Sequence, residues 1–273
     1  SGQNCPKICL LQSHLHCSQP HQSQTSYNQF SLSLVYTVPI NFHPKPINAH
    51  SQCYLYLFQD HIQEVLDKWD SIDDEIWAKV IVLERNRRVA KAYARAPVIT
   101  VNGSTDGFDG FRIGVAGFDN PLRDPSTSSA IQALGLGLKL KMDDVGNVLV
   151  KRMTRNAHVS VKNTTEESAV SNDILKLPNG ILNPDQPYKV FDMKKFQQNM
   201  SRELKRANPD RLKLENQCIS AIAFGGMSED DLEDADDSTV STDPLRSPLW
   251  IIVINIVAME MLRSKLPPGK SHS

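Results

Sequence analysis

Hydrophobic residues are spaced in several distinct ways along this chain, and each spacing predicts a different kind of element. Residues 1–29 crowd Ser, Gln, His and Asn together with little apolar periodicity. Such a stretch cannot offset the entropy of ordering its backbone, so it predicts a disordered leader. Over 30–38 apolar residues alternate with small polar ones, and 54–58 is aromatic and aliphatic throughout. Both runs predict strands, separated by a link broken at Pro39, Pro44 and Pro46. Ile62, Val65, Leu66, Trp69 and Ile72 then recur at helical spacing with acids between them, the pattern of an amphipathic helix.

From Trp77 onward the texture becomes short β-branched runs punctuated by Gly, Asn and Asp, at 77–84, 97–101, 111–115, 134–142, 148–153 and 157–161. Asp144-Val-Gly-Asn147 between two of them predicts a hairpin, and the spacing as a whole predicts a sandwich. A helix is expected over 193–207, stopped by Asn208-Pro209, and a strand over 217–224. After an acidic loop at 226–247, a strand from Trp250 and a closing helix end at Pro267-Pro268. The domain plan is a leader (1–29), an extension carrying the amphipathic helix (30–74), one domain over 75–266 and a tail (267–273).

Charge changes this picture little: thirty basic and thirty-one acidic residues leave a formal net charge of −1, so no global field draws the chain to nucleic acid or an anionic membrane. Five cysteines, three of them near the N-terminus, do not make a disulfide framework and suit a reducing compartment. The longest apolar run, 249–262, is broken by Asn255 and Glu260 and falls short of the roughly 20 residues of a spanning helix. Cytoplasmic placement, with access to the nucleus, is the expectation, with no membrane insertion.

Candidate chemistry is sparse. Cys5, Cys9, His14, His16, Cys17 and His21 are zinc-capable donors, but their spacing matches no closed site, and no metal or cofactor is expected. Gly135-Leu-Gly137 lacks the third glycine of a dinucleotide loop. His61 and His158 have no Ser or Cys with an orienting partner nearby in sequence, so no catalytic residue is assigned and the chain is read as non-enzymatic. Lys139, Lys141, Lys151, Arg152 and Arg155 fall on two adjacent predicted strands, where they form either an anion or phosphopeptide patch or a solvated sheet face. Glu84 and Arg88 are expected to pair as a buried structural contact. Ser228, followed by Glu229, Asp230 and Asp231, sits in the context acidophilic kinases favour, and Ser271 and Ser273 are two further candidate phosphosites.

A resemblance runs through the second part of the chain. The series Trp77, an apolar run, Glu84, Asn86, Arg88, Val89 and Tyr93 is similar to the opening strand pair of the Smad C-terminal, or second Mad-homology, domains. Val101-Asn-Gly103-Ser-Thr105-Asp106 resembles the family's Val-Asp-Gly-Phe-Thr-Asp, and Phe111-Arg-Ile-Gly114 its Phe-Cys-Leu-Gly. Gly135-Leu-Gly137, Gly146-Asn-Val148, Asn156-Ala157, Pro178-Asn-Gly180, Phe191 with Phe196, and Pro248-Leu-Trp250 resemble later family elements in the same order. What the resemblance implies is a mainly β, two-sheet β-sandwich with a loop-helix cap and a terminal helical bundle, akin to forkhead-associated domains. It implies protein partners, phosphoserine tails among them, and no direct DNA binding by this domain.

Two departures bear on function. The family's loop before the last strand is basic and receives a phosphoserine tail, whereas here 225–238 holds seven acids and no base. A phosphate carrying up to two charges beside it meets like charge, at about 1 kcal/mol per unit pair even in water-like surroundings. The family's trimer face uses an Asp and a Phe where this chain has Asn102 and Ser104, with Asp106 retained. The expectation is therefore a scaffold or adaptor domain, monomeric or weakly self-associating. The alternative is a phosphorylation-driven signal transducer and transcription regulator of the TGF-beta pathway class.

Overall fold

The structure, a computed structural model, describes residues 49–162, 164–225 and 247–266, with side-chain placement from Leu57 onward. The leader, the strand expected over 30–38, the Cys/His group, Ser228 with its acidic neighbours, and the tail with Ser271 and Ser273 lie outside the described residues.

Two sheets make the frame. Strands β1 (Ala78–Glu84), β2 (Arg87–Ala94), β8 (Val159–Lys162), β10 (Ile219–Phe224) and β11 (Leu249–Asn255) form a five-stranded antiparallel sheet in the order β2-β1-β11-β10-β8. Strands β3 (Val98–Asn102), β4 (Gly107–Phe108), β5 (Arg112–Gly114), β6 (Leu138–Met142), β7 (Val148–Arg152) and β9 (Pro187–Phe191) form the other, ordered β4-β5-β3-β6-β7-β9, with β3 and β5 parallel. Because strand side chains alternate between faces, Val80, Val82, Ile222, Ile251 and Val253 point inward from the first sheet, and Ile99, Val101, Leu138, Leu140 and Val150 from the second. The two inner faces meet, since the Ser220 hydroxyl on β10 donates to the Val190 carbonyl on β9 at 3.2 Å.

Helices cover what the sheets leave open. α1 (Ala49–Asp67) lies over the outer face of β1 and β2, burying Phe58, Ile62 and Val65. That cover is why β1 and β11 are buried on both faces and read as unbroken apolar runs. α2 (Pro125–Leu134) caps one end of the sandwich, where Thr127 Oγ1 donates to the Pro248 carbonyl. At the other end α4 (Met193–Glu203), α5 (Arg211–Gln217) and α6 (Ile256–Lys265) pack together as the expected bundle; α3 (Asn172–Leu175) is a single turn beside β9.

Several expectations are corrected. Residues 54–58 are helical, because the aromatic run is part of α1: Phe58, Ile62 and Val65 continue one buried stripe, and a short apolar run does not by itself distinguish strand from helix. The run 134–142 is divided, with Leu134 ending α2 and β6 starting at Leu138, because Gly135 and Gly137 turn the chain at φ of 47° and 65°. α4 stops at Glu203 rather than Ala207, and residues 208–209 lie in the loop to α5. α2, α5 and β9 had no counterpart in the sequence reading. Glu84 does not pair with Arg88, since register places Arg88 opposite Leu83 on the other face of the strand pair. Glu84 instead accepts two hydrogen bonds from Arg123, at 2.7 and 3.0 Å, and one from Asn120.

Candidate anion-binding face and its surroundings

The outer face of the six-stranded sheet carries the most concentrated exposed charge among the five candidates of the basic group. Lys139 on β6 stands directly opposite Lys151 on β7, and Lys141 lies two residues along on the same face. Lys189 on β9 joins them through Leu149, which it and Lys141 both oppose, and Arg112 on β5 reaches the same face beside Thr100. Three carboxylates sit at the margin: Asp106 holds Arg112 at 2.8 Å, Asp192 holds Lys189 at 3.1 Å, and Asp185 lies 3.8 Å from Lys151. Among the described residues no carboxylate pairs with Lys139 or Lys141. Like charges directly opposed on neighbouring strands destabilise a sheet, so the Lys139–Lys151 pair is not explained by folding.

The other two members of the basic group are elsewhere. Arg152 points inward, is 5% exposed, and donates to the carbonyls of Thr154 and Leu182, both at 2.9 Å. One position along a strand reverses the face, so its separation from Lys151 follows from pleat alone. Arg155 lies beyond the end of β7, paired with Asp185 at 2.9 Å. It lines a cavity of about 600 Å³ together with Ser126, Ser129, Asn156 and His158, and Gly225 and Pro248 form part of the wall. In sequence, those last two residues stand on either side of the acidic stretch 229–237.

Of the residues at the family's interface positions, Asn102 Oδ1 accepts the Ser104 backbone N–H at 3.2 Å, and Asp106 pairs with Arg112. Ser104 Oγ is buried and packs on Gly114, where an added Cβ would come within 2.5 Å of it. All three thus hold the β3–β4 loop onto β5. Arg112 and Lys189 escaped the sequence reading because each is a lone cation on its own strand, and only the sheet order brings them beside Lys139 and Lys141.

His61 and Cys218, both buried, are poor sites for chemistry. Burial first, and then the charges of Lys79 and Arg88, lower the His61 pKa to about 4. Burial drives the Cys218 thiol pKa far up. Among the described residues no group of three or more His, Cys, Asp or Glu is placed to hold a metal, and no helix is long and apolar enough to cross a membrane.

The frame is thus a two-sheet sandwich with a capped end, a helical bundle and one charged face, the outer face of the six-stranded sheet. Residues 75–255 match the MH2 domain family, and the chain belongs to that family, whose domains mediate protein–protein interaction. Two solved structures are similar at 10% identity. One is the interferon regulatory factor 9 IAD domain, with a TM-score of 0.44 over 72% of this chain and 94% of that one. The other is from STAT2 in complex with IRF9, with a TM-score of 0.46 over 71% and 99%. No curated protein matches the chain in sequence.

Proposed function

We propose that this MH2 domain is a non-enzymatic scaffold or adaptor that takes an anionic segment of a partner protein across the outer face of its six-stranded sheet, without phosphoserine-driven trimerisation. The observation that carries the reading is the opposed pair Lys139 and Lys151, extended by Lys141 and Lys189 on a face that none of the described helices covers. A carboxylate or phosphate laid between the two ammonium groups relieves their repulsion and gains charge-assisted hydrogen bonds. The cavity at Arg155 is the less favoured place for a phosphate, because Arg155 is already paired with Asp185 there. This divergence resembles that of the insect Smad-related protein Expansion. Five cysteines whose spacing makes no disulfide framework fit a cytoplasmic protein with access to the nucleus, and the balanced net charge argues against DNA as the partner of this domain.

The test is fluorescence anisotropy with an acidic peptide and a phosphoserine peptide, on the unmodified chain and on a Lys139→Glu, Lys151→Glu double variant. Both peptides should bind the unmodified chain with strong salt dependence, and the double variant should lose about tenfold or more, as expected for loss of two charge-assisted contacts. Unchanged binding by the double variant rules the face out. A stronger effect of Arg155→Glu on the phosphopeptide alone places the phosphate in the cavity.

A further inference from the structure

The opposite sheet presents a second surface, already filled. On its outer face Ile81 and Leu83 of β1 lie beside Trp250, Ile252 and Ile254 of β11, all fully buried, in a strip bordered by the cations of β1 and β2. Lys79, Arg88 and Lys91 all converge on the single carboxylate of Glu64 in α1: Lys79 at 2.9 Å, Arg88 at 2.8 Å, and Lys91 closer still. Lys79 has no exposed side-chain surface and Lys91 has 11%. Among the described residues Glu64 is the one carboxylate paired with Lys79 and Lys91, so two buried lysines share a single acid in a largely dry site. One turn before Glu64, His61 is 5% exposed with Nε2 lacking a hydrogen-bond partner, and it feels the positive fields of all three cations. Its position therefore calls for an acid and holds a neutral imidazole. α1, moreover, lies outside the stretch that matches the family, so the cations belong to the domain and the acid comes from the segment before it.

We infer that the outer face of the five-stranded sheet is a helix-binding groove that α1 fills in cis. The partner it fits is an amphipathic helix with carboxylates one turn apart, at the places of His61 and Glu64, which displaces α1 from Lys79, Arg88 and Lys91. Charge complementarity selects this occupant: a second acid supplies what α1 withholds, while its apolar stripe reproduces Phe58, Ile62 and Val65. The groove and the lysine face lie on different sheets, so either can fail without the other.

The experiment uses the full chain and two labelled helical peptides, the 49–67 sequence and the same sequence with His61→Glu, each with Cys53→Ser. On the unmodified chain the His61→Glu peptide should bind about tenfold or more tighter than the parent peptide, the scale of one added charge-assisted contact. A Glu64→Gln chain, with its own helix loosened, should bind both peptides more tightly than the unmodified chain does. Hydrogen exchange on the unmodified chain keeps the test valid if that variant does not fold. Amides of 57–67 should exchange faster than those of β1 and β11, and faster again when the His61→Glu peptide is added. Equal binding of the two peptides, or exchange of α1 only together with β1 and β11, overturns the inference.

Discussion

Asn255 joins the sandwich to the helical bundle through the two ends of one amide. Its Oδ1 accepts the Ala258 N–H at 3.0 Å and caps α6, while its Nδ2 donates to the Gly146 carbonyl in the β6–β7 turn at 3.1 Å. Asn255→Ala removes a cap and strands a buried carbonyl, and should cost about 2–4 kcal/mol, read as a lowered urea midpoint. His61 gives a second residue-scale prediction. Its folded pKa of about 4 lies below the ordinary histidine value of 6.5, so the unfolded chain takes up the proton first. The stability that its neutral form supports is complete above pH 6.5 and falls as pH drops toward 4, by up to about 1.4 kcal/mol per unit. Glu64 acts lower. Burial works to raise its pKa, but hydrogen bonds from Lys91 and Lys79 and the charges of Lys79 and Arg88 override it and hold the pKa at about 2, so its contribution is lost as pH falls from 4.5 toward 2. Urea midpoints at pH 7, 6 and 5 should show the first decline, and His61→Phe should flatten it. An unchanged slope in that variant would place the titration on another group.

At the scale of elements, β6 and β7 form the hairpin that the Asp144-Val-Gly-Asn147 turn predicts, and their pairing sets the lysines face to face. A fold-stabilising hairpin would place opposite charges there. Lys139→Glu should therefore raise the stability of the sheet by up to about 1 kcal/mol through a new cross-strand pair with Lys151, while weakening anion binding. A rise in thermal midpoint together with lost binding separates function from folding, whereas a fall in midpoint would show that Lys139 is needed by the fold. The helix α2 illustrates what a pattern search overlooks. Its signals are present in Asp124, whose side chain accepts the Thr127 N–H, and in Pro125 at the first helical position. Its Ser-rich middle, however, reads as loop, and only packing of Ala130, Ile131 and Leu134 into the core makes it a helix. β9 was hidden for a related reason: a proline opens it and only one face is buried.

For the whole molecule, the expected state in solution is a monomer. Asn102, Ser104 and Asp106 are engaged within their own loop and with Arg112. Light scattering with and without a Smad-type phosphoserine tail peptide should give the monomer mass in both cases, and a trimer or a peptide-driven increase would return the protein to the signal-transducer class. The sequence alone determined the sandwich, its hairpin, the bundle and the boundaries of most strands, because alternation, turn chemistry and ordered family motifs are local properties of the chain. It also marked Lys139, Lys141 and Lys151. What only the tertiary structure decided were the relations between distant segments: Arg123 rather than Arg88 as the partner of Glu84, Lys189 and Arg112 beside the lysine pair, and Arg152 turned inward. The same holds for α1, laid over the sheet so that one carboxylate answers three cations. Charge partners and sheet neighbours depend on register and strand order, and those are fixed by burying both faces of β1 and β11, a condition no single segment carries in its own sequence.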